Sequence, residues 1–252
     1  MSNFARYQNL GRGPTAACSA GVDFERLMFG DGGFVFFDNF LELPTGRYVS
    51  TQSTTGTAAL DDAKGGVILL DSDSTTTVQG IQLQKKTSTT GEVFSADAQD
   101  ILVFECRVSF RDLGATLTTS GEFFIGLASI DTTLIATSAL DPADAIGFKC
   151  LTDDGVILAT STKASTETTK TGMHTMVDSD VTADSWVKLG FRVDRNTTVS
   201  FYVNGKKAAN TITTNIPTAL MVPSAVCQSS GTTDPIYPLD WWYAAQIEGV
   251  TP

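Results

Sequence analysis

The sequence predicts an all-β protein, built as a sandwich or a barrel. Three observations carry this prediction: about a dozen short segments alternate apolar and polar residues or are continuously apolar, turn-forming residues separate them, and no long stretch has the 3.6-residue period of a helix. The composition agrees, because only 18% of the 252 residues are charged while Thr, Ser, Gly and Ala are plentiful.

The clearest element is a β-hairpin in the stretch ADSWVKLGFRVDRNTTVSFYVNGKK, residues 183–207. Its first strand alternates apolar residues with polar ones or glycine, a turn-rich loop follows at 194–198, and a second strand repeats the alternation. Asn204–Gly205 predicts the next turn, because both residues tolerate a positive φ. The inward-facing residues of this hairpin are predicted to be Val187, Leu189, Phe191, Val193, Val199, Phe201 and Val203.

The chain before this hairpin begins with three distinct parts. Residues 1–33 are glycine-bearing and weakly patterned, which predicts an extended N-terminal arm or cover. GFVFFDNFLEL, residues 33–43, predicts a strand that is covered on both sides, because apolar residues face both ways. Residues 44–66 are polar and predict a long connection, of the kind that is usually functional, mobile or pinned by a partner.

The rest of the chain supplies further strands and turns. TDDG at 152–155 predicts a hairpin turn, and 161–172 predicts a polar loop or a hairpin tip. All-β sandwiches of this length often fold as one domain, so we expect a single domain over 34–252 that follows the arm at 1–33. The other predicted strands are 67–70, 78–84, 101–110, 122–130, 145–151, 156–160, 173–177, 220–227 and 239–247.

Charge and apolar runs exclude two classes of partner. The formal net charge of −11 argues against nucleic-acid binding, which needs clustered Lys and Arg. The first residues, MSNFARYQNLGRGP, contain no apolar secretory signal, and no apolar run reaches the length of a membrane span. The sequence therefore predicts synthesis in a cytoplasm and no membrane partner.

The four cysteines predict neither a zinc site nor another cofactor. None of them stands in C-x-x-C spacing. Cys106, Cys150 and Cys227 lie in apolar, strand-like runs, where free buried thiols are the default, and disulfides including Cys18 stay open.

Candidates for an enzyme's active site are few. His174 is the only histidine, and we expect it at the surface or at a sheet edge, with no Gly-x-Ser-x-Gly elbow to accompany it. Glu105 and Glu122 are acids embedded in predicted strands, each expected on a polar face, and the Glu-x-Asp-x-x-Glu spacing of many sandwich glycosidases is absent. The sequence therefore predicts that the protein is not an enzyme.

Three short polar motifs are assigned to turns. Asp71-Ser-Asp73 and Asp153–Asp154 offer the carboxylates that calcium takes, but they lack an EF-hand pattern. Asn196-Thr-Thr198 matches a glycosylation sequon, and a turn is the favoured interpretation. No metal site is predicted.

The tryptophans leave one question open. In a strand, Trp241 and Tyr243 point one way and Trp242 the other, so either both faces of the strand are buried or one aromatic residue is exposed. Core packing is the favoured interpretation, but an exposed Trp242 or Tyr243 would stack on a sugar ring or anchor a partner. Trp186 opens a strand and is predicted to be a core residue.

Two regions resemble known families. The hairpin WVKLGFRVDRNTTVSFYVNGKK, with LDWWYAAQI after it, resembles the C-terminal strands of concanavalin A-like (laminin G-like) jelly rolls. LGRGP, followed by GGFVFFDNF, resembles tailed-phage structural proteins. The resemblance implies an antiparallel two-sheet β-sandwich of the jelly-roll, concanavalin A-like type with an extended N-terminal arm.

The resemblance also implies a function. It implies a non-enzymatic virion protein, made in the bacterial host cytoplasm, that decorates and stabilises a bacteriophage capsid by binding the major capsid protein, commonly as a homotrimer. The arm residues that match are Leu10, Gly11, Arg12, Gly13 and Pro14, which become candidate capsid contacts. The alternative is a carbohydrate-binding adhesion module on the virion surface, with Trp242 or Tyr243 as the platform for a surface glycan, and a glycosidase or lyase is a third interpretation.

Overall fold

The computed structural model describes residues 33–43, 46–53, 55–61, 66–76, 79–85, 94–110, 121–136, 139–151, 156–175, 186–231 and 234–249. Within these ranges the chain forms strands, turns and loops and no helix, which confirms the all-β prediction. In chain order the strands are β1 (Gly33–Asp38), β2 (Tyr48–Gln52), β3 (Thr57–Leu60), β4 (Ile68–Asp71), β5 (Gly80–Lys85), β6 (Ile101–Ser109), β7 (Glu122–Ala128), β8 (Ile135–Ala136), β9 (Ala139–Leu140), β10 (Ala145–Cys150), β11 (Val156–Lys163), β12 (Thr166–Thr175), β13 (Trp186–Asp194), β14 (Thr198–Val203), β15 (Lys206–Ile212), β16 (Val222–Gln228) and β17 (Ile236–Ile247).

Two large antiparallel sheets pack face to face as a sandwich. The eight-stranded sheet has the order β15-β14-β13-β6-β17-β4-β3, and β1 pairs with β17 on the same side as β4. The seven-stranded sheet has the order β12-β11-β10-β7-β16-β5-β2. The short hairpin β8–β9 packs on the outer face of the seven-stranded sheet, where Leu134 and Ile135 join Phe124 and Val226 in one apolar cluster.

The hairpin predicted within 183–207 is confirmed as β13 and β14. Its predicted inward-facing residues are buried except the half-buried Val203, and ring contacts across the core include Phe148–Phe201, with centroids 5.6 Å apart. Arg195 and Asn196 form the turn with positive φ, and Asn204–Gly205 forms the next turn as predicted. Burial of such a side chain stabilises the fold by roughly 1.5–3 kcal/mol, so the alternation itself specifies this part of the core.

The long connection predicted for 44–66 is wrong, because it contains β2 and β3. Both strands lie at sheet edges and carry mostly exposed or half-buried side chains. A strand without a buried face has no apolar alternation to show in the sequence, so it resembles a loop.

The stretch 161–172 is a hairpin tip with a shorter turn than predicted. β11 continues to Lys163 and β12 begins at Thr166, with Ala164 and Ser165 both at positive φ between them. The turn predicted at 152–155 lies outside the described residues, but β10 and β11 pair antiparallel on either side of it.

The strand predicted at 33–43 is confirmed as β1, but it is not covered evenly on both sides. Phe36 faces the core and is buried, whereas Val35 on the other side is 39% exposed. The division between the arm at 1–33 and the domain at 34–252 stays a prediction, because residues 1–32 lie outside the described ranges.

Candidate functional site

An open pocket of about 390 Å³ lies on the outer face of the seven-stranded sheet. Strands β2, β5 and β16 form its floor, and the segment 132–136 forms its wall. This volume falls within the usual range for small-ligand sites. The polar residues of the lining are Thr51, Gln52, Ser53, Gln82, Thr132, Thr133 and Gln228, and its apolar residues include Leu134, Ile135 and Val226.

The floor follows from the alternation of β5 and β16. Val226 pairs with Gln82 and Gln228 pairs with Gly80, so these side chains point outward while Ile81 and Cys227 point into the core. At Gly80 the two backbones approach closely, because an added Cβ would lie 2.0 Å from the carbonyl oxygen of Cys227. Only glycine fits there, which leaves the floor of the pocket open at that point.

Two glutamines of β5 hold the wall against the sheet. Gln82 donates from Nε2 to the carbonyl oxygen of Asp131 at 2.7 Å and accepts at Oε1 from the backbone N–H of Leu134 at 2.9 Å. Gln84 donates from Nε2 to the carbonyl oxygen of Ser129 at 3.2 Å and accepts at Oε1 from the N–H of Asp131 at 3.0 Å. Both amides are buried, so they fix the shape of the pocket.

One buried carboxylate orients the amide of Gln228. Gln228 Nε2 donates to Glu122 Oε2 at 2.8 Å, and both residues are buried. That bond leaves Gln228 Oε1 as the amide atom that a ligand's hydroxyl could donate to.

The pocket suits a neutral polar ligand. Hydroxyl groups of threonine and serine and the amide of glutamine both donate and accept hydrogen bonds. Among the described residues that line it there is no carboxylate, histidine, cysteine, lysine or aromatic ring. These residues can recognise hydroxyl-rich molecules by hydrogen bonding.

The sequence analysis missed this site. A possible signal was GIQLQK at 80–85, in which two glutamines alternate with apolar residues in an otherwise buried strand. Threonines and serines in loops are too common to single out, so Thr132, Thr133 and Ser53 carried no signal.

Glu105 and Glu122 both face outward from their sheets, as predicted, but neither is exposed. Each is almost fully buried. The pKa of Lys188, which is near Glu105, is lowered chiefly by burial, while the Glu105 charge opposes that shift. A polar face of a strand in this protein is therefore not always a solvent-facing one.

Neither Trp242 nor Tyr243 is an exposed aromatic platform. Trp242 points into the core against Phe40, with ring centroids 5.5 Å apart, and Tyr243 lies on the outer face with Trp241. All three aromatic residues of 241–243 are fully buried. The favoured interpretation of core packing is correct, and the strand is buried on both faces.

Trp186 opens β13 as predicted, but it is not a core residue. It is half-buried on the outer face of the eight-stranded sheet, where the Arg107 guanidinium carbon lies 4.3 Å from the centre of its ring. Val187, its neighbour, occupies the inward position. Arg107 is also paired with the buried Asp240, so Trp186 covers an ion pair.

Asp71 and Asp73 lie at a turn, and the pKa of Asp71 is raised by burial, with the Asp234 and Asp73 charges adding to the effect. Within the described ranges no group of three His, Cys, Asp or Glu residues could hold a metal ion, and Asp153–Asp154 lie outside them.

Asn196 forms the β13–β14 turn and donates from Nδ2 to the carbonyl oxygen of Ala96 at 2.6 Å. His174 lies in β12, which is an edge strand, as predicted.

Cys106, Cys150 and Cys227 are free and buried, as the default assignment predicted. Burial raises the pKa of the Cys106 and Cys227 thiols well above the usual range, so neither is a reactive thiolate at neutral pH. Cys18 lies outside the described residues. No helix in the described part of the chain has the length and hydropathy to cross a bilayer.

The motif that carries the phage resemblance has a structural role in the part that the structure describes. Residues 34–40 form β1 and the turn after it, where Asp38 Oδ1 accepts from the N–H of Phe40 at 2.9 Å. Phe40 adopts a positive φ of 48° and is buried against Trp242. The other part of the motif, Leu10 to Pro14, lies outside the described residues, so its role stays a prediction.

No protein-family model and no curated protein sequence matches this chain. Peanut lectin is similar in structure, with a TM-score of 0.55 and 14% identity over 87% of this chain and 99% of the lectin. The CBM2 module of the evolved Dit protein of Lactobacillus casei BL23 phage J-1 gives a TM-score of 0.55 and 11% identity over 88% and 98% of the two chains. An endo-1,3-beta-glucanase from Streptomyces sioyaensis gives a TM-score of 0.56 and 12% identity over 86% of this chain and 98% of the glucanase.

These similarities show the fold and no more at such low identity. The chain is an antiparallel two-sheet sandwich of the lectin-like jelly-roll type, as the resemblance implied. Its structural neighbours are mostly lectins and binding modules, with a glucanase among them.

Proposed function

We propose that this protein is a non-catalytic carbohydrate-binding module of a tailed-phage virion, and that the pocket between β5, β16 and 132–136 is its binding site. The pocket's uncharged lining of hydroxyl and amide groups carries the proposal. Sugars present the matching donors and acceptors, and the structural neighbours include a lectin and a phage carbohydrate-binding module.

The pocket is preorganised for such a ligand. Gln82 and Gln84 fix the wall through backbone hydrogen bonds, and Glu122 fixes the Gln228 amide. Binding to a preformed site loses little conformational entropy, which favours affinity for a small ligand. Stacking on Trp242 or Tyr243 has no part in this proposal, because both rings are buried.

A glycan array probed with the full-length protein would identify a ligand, and calorimetry would then measure its affinity. Thr133→Trp places a large side chain in the pocket from an exposed position, and we expect it to weaken binding at least tenfold. The matched control is Thr169→Trp, an exposed threonine on β12 at the far edge of the same sheet, for which we expect a change below twofold.

The outcomes separate the proposal from its rivals. Binding that both variants leave unchanged would place the glycan site elsewhere, and no binding at millimolar glycan would reject the function. Sustained release of reducing sugar from the bound glycan would show an enzyme instead of a binding module.

Capsid decoration is the second candidate, supported by the phage resemblance of 10–14 and 34–40. Under it, the protein binds the major capsid protein as a homotrimer at the virion surface, and Arg12 is a contact. Co-sedimentation of the full-length protein with shells of that capsid protein tests it: binding that Arg12→Glu weakens at least tenfold supports the role, and absent binding rejects it. Light scattering of the free protein measures the expected trimer.

A further inference from the structure

A row of three residues, Ser53, Gly80 and Gln228, crosses the floor of the pocket. Ser53 directly follows β2 and lies beside Gly80 of β5, to whose carbonyl oxygen its N–H donates at 3.1 Å. Gln228 of β16 pairs with Gly80 on the other side, and all three residues line the pocket. Because Gly80 has no side chain, the row has an open gap in its middle and a polar side chain at each end.

The two ends of this row have opposite hydrogen-bonding roles. Ser53 Oγ accepts from the backbone N–H of Gly80 at 2.9 Å, so its hydroxyl hydrogen remains to donate to a ligand. Gln228 Nε2 donates to Glu122 Oε2 at 2.8 Å on the side of β7, so Oε1, the other branch of the amide, remains as an acceptor. One end of the row therefore donates and the other end accepts.

The width of the row fits an amide group better than a hydroxyl group. Neighbouring strands lie about 4.8 Å apart, so the backbones of Ser53 and Gln228 are separated by roughly 9.6 Å. A single hydroxyl group that bonded to both ends would reach across only about 5.6 Å. A trans amide carries its acceptor and its donor on separate atoms that point in opposite directions, and with its two hydrogen bonds it spans roughly 8 Å. The gap above Gly80 therefore matches a secondary amide that lies across the strands.

The surroundings of the row fit the rest of an acetamido group. When a planar trans amide lies across the strands and parallel to the sheet, its methyl group and its N-substituent point along the strands in opposite directions. In one of these directions the next outward-facing residue of β16 is Val226, an apolar residue of the lining. The wall closes the pocket there, because the N–H of Leu134 is bonded to Gln82, the residue that pairs with Val226. The methyl group fits this closed end, and the N-substituent extends away from the wall.

We propose that the pocket selects sugars that carry an acetamido group, the N-acetylated hexosamines. This inference rests on the proposed carbohydrate-binding function and names its ligand class. Ser53 donates to the acetamido carbonyl oxygen, Gln228 Oε1 accepts from the acetamido N–H, and Val226 contacts the methyl group. A hexose without the acetamido group leaves the gap above Gly80 unfilled and the Gln228 acceptor unpaired, so it binds more weakly.

Paired sugars test the proposal in the full-length protein. Ligand-observed NMR titrations would compare the methyl glycosides of N-acetylglucosamine, N-acetylgalactosamine and N-acetylmannosamine with those of glucose, galactose and mannose. We expect the N-acetylated member of at least one pair to bind at least tenfold more tightly than its parent hexose. Saturation transfer from the protein should be strongest at the acetyl methyl protons of that sugar.

A serine variant assigns this preference to the row. Ser53→Ala should weaken binding of the N-acetylated sugar about fivefold, because it removes one hydrogen bond. The matched control is Ser50→Ala, an exposed serine of β2 that pairs with the core residue Leu83 and so lies on the opposite face of the sheet. We expect the control to change the affinity less than twofold.

The outcomes distinguish this proposal from the proposed function. Equal affinity within every pair, or glycan-array binding only to glycans without an acetamido group, would overturn the N-acetyl assignment and leave the carbohydrate-binding function intact. A preference that Ser53→Ala does not change would also overturn it, because the acetamido group would then bind elsewhere. Tighter binding of N-acetylalanine methylamide than of any sugar would overturn it in favour of a peptide ligand, and binding to no glycan would reject the proposal together with the function.

Discussion

Trp242 of the eight-stranded sheet donates a hydrogen bond from its indole Nε1 to the hydroxyl of Tyr48, 3.3 Å away in the seven-stranded sheet. The Tyr48 hydroxyl in turn donates to Asp38 of β1, and the Nε of Arg47 lies 3.4 Å from the same carboxylate. This chain of contacts joins the two sheets at the edge where β1 and β2 lie. These contacts give the buried Asp38 carboxylate its hydrogen-bond and ion-pair partners.

Tyr48→Phe should destabilise the protein by about 1–3 kcal/mol, because it leaves a buried carboxylate and a buried indole N–H each short of a partner. Urea unfolding at pH 7 measures the change. The matched control is Tyr237→Phe: the Tyr237 hydroxyl is buried and bonds to no other described residue, so its removal should be neutral or stabilising. Equal losses in the two variants would contradict the role of the Trp242–Tyr48–Asp38 contacts.

Lys85 should contribute stability that grows as the pH rises from 8 to 9.5. Burial, with a smaller effect of Arg47, lowers the pKa of Lys85 to about 8, against 10.5 in the unfolded chain. At this group the unfolded chain keeps a proton that the folded chain has lost, so raising the pH favours folding. The Cys106 and Cys227 thiols, and above about pH 10 Tyr48, act in the opposite direction, because burial raises the pKa of each and they ionise only in the unfolded chain.

Urea unfolding of the wild type and of Lys85→Met at pH 7.0, 8.0, 9.0 and 9.5 would isolate this contribution, because the other titrating groups are common to both proteins. Lys85→Met keeps the aliphatic contact with Phe36, over which the Lys85 Nζ lies at 4.7 Å, and the stability of the wild type relative to this variant should rise with pH. A difference between the two proteins that stays constant from pH 8 to pH 9.5 would reject the assignment.

Gln82→Leu should release the wall of the pocket. The substitution leaves the carbonyl of Asp131 and the N–H of Leu134 without their partners, at an expected cost of about 1–3 kcal/mol. Hydrogen exchange should become faster at residues 129–134 and stay unchanged in β13 and β14. Thr51→Val, which changes a neighbouring pocket residue without touching the wall, is the control, and equal exchange in both variants would contradict the tether.

Asp71→Asn should stabilise the protein at neutral pH. Burial raises the pKa of Asp71, with Asp234 and Asp73 adding to the effect, so its carboxyl favours folding below the unfolded pKa and loses that benefit as pH rises through the folded one. Asparagine stays neutral and keeps the acceptor for the N–H of Asp73. Thermal unfolding at pH 4 and pH 7 measures the difference in Tm between Asp71→Asn and the wild type, which should appear at pH 7. The control, Asp73→Asn, changes an exposed aspartate and should raise the Tm less.

The sequence predicted the strands that have one buried face. β13 and β14 were placed residue by residue, because apolar side chains at every second position leave water only when the strand presents them to a core. Asn204–Gly205 fixed a turn for a local reason, its tolerance of positive φ. Where the side chains did not alternate, as in β2 and β3, the edge strands were missed.

The candidate pocket was beyond sequence reasoning because its parts are distant in the chain. Thr51, Gln82, Thr133 and Gln228 come from four segments that meet only when β2, β5 and β16 align and the 129–136 segment folds back over them. Each residue by itself is an ordinary polar side chain. Their shared function depends on the register between strands, which no local pattern specifies.

The sequence by itself determined the all-β class, the central hairpin and which residues of each predicted strand share a face. The tertiary structure alone decided what lies over each face: Trp241, Tyr243 and Glu105 point away from the core, yet they are buried, while Trp186 on the same face is half-exposed. The physical reason is that alternation is a property of one strand's backbone, whereas burial depends on what packs against that strand from elsewhere in the chain.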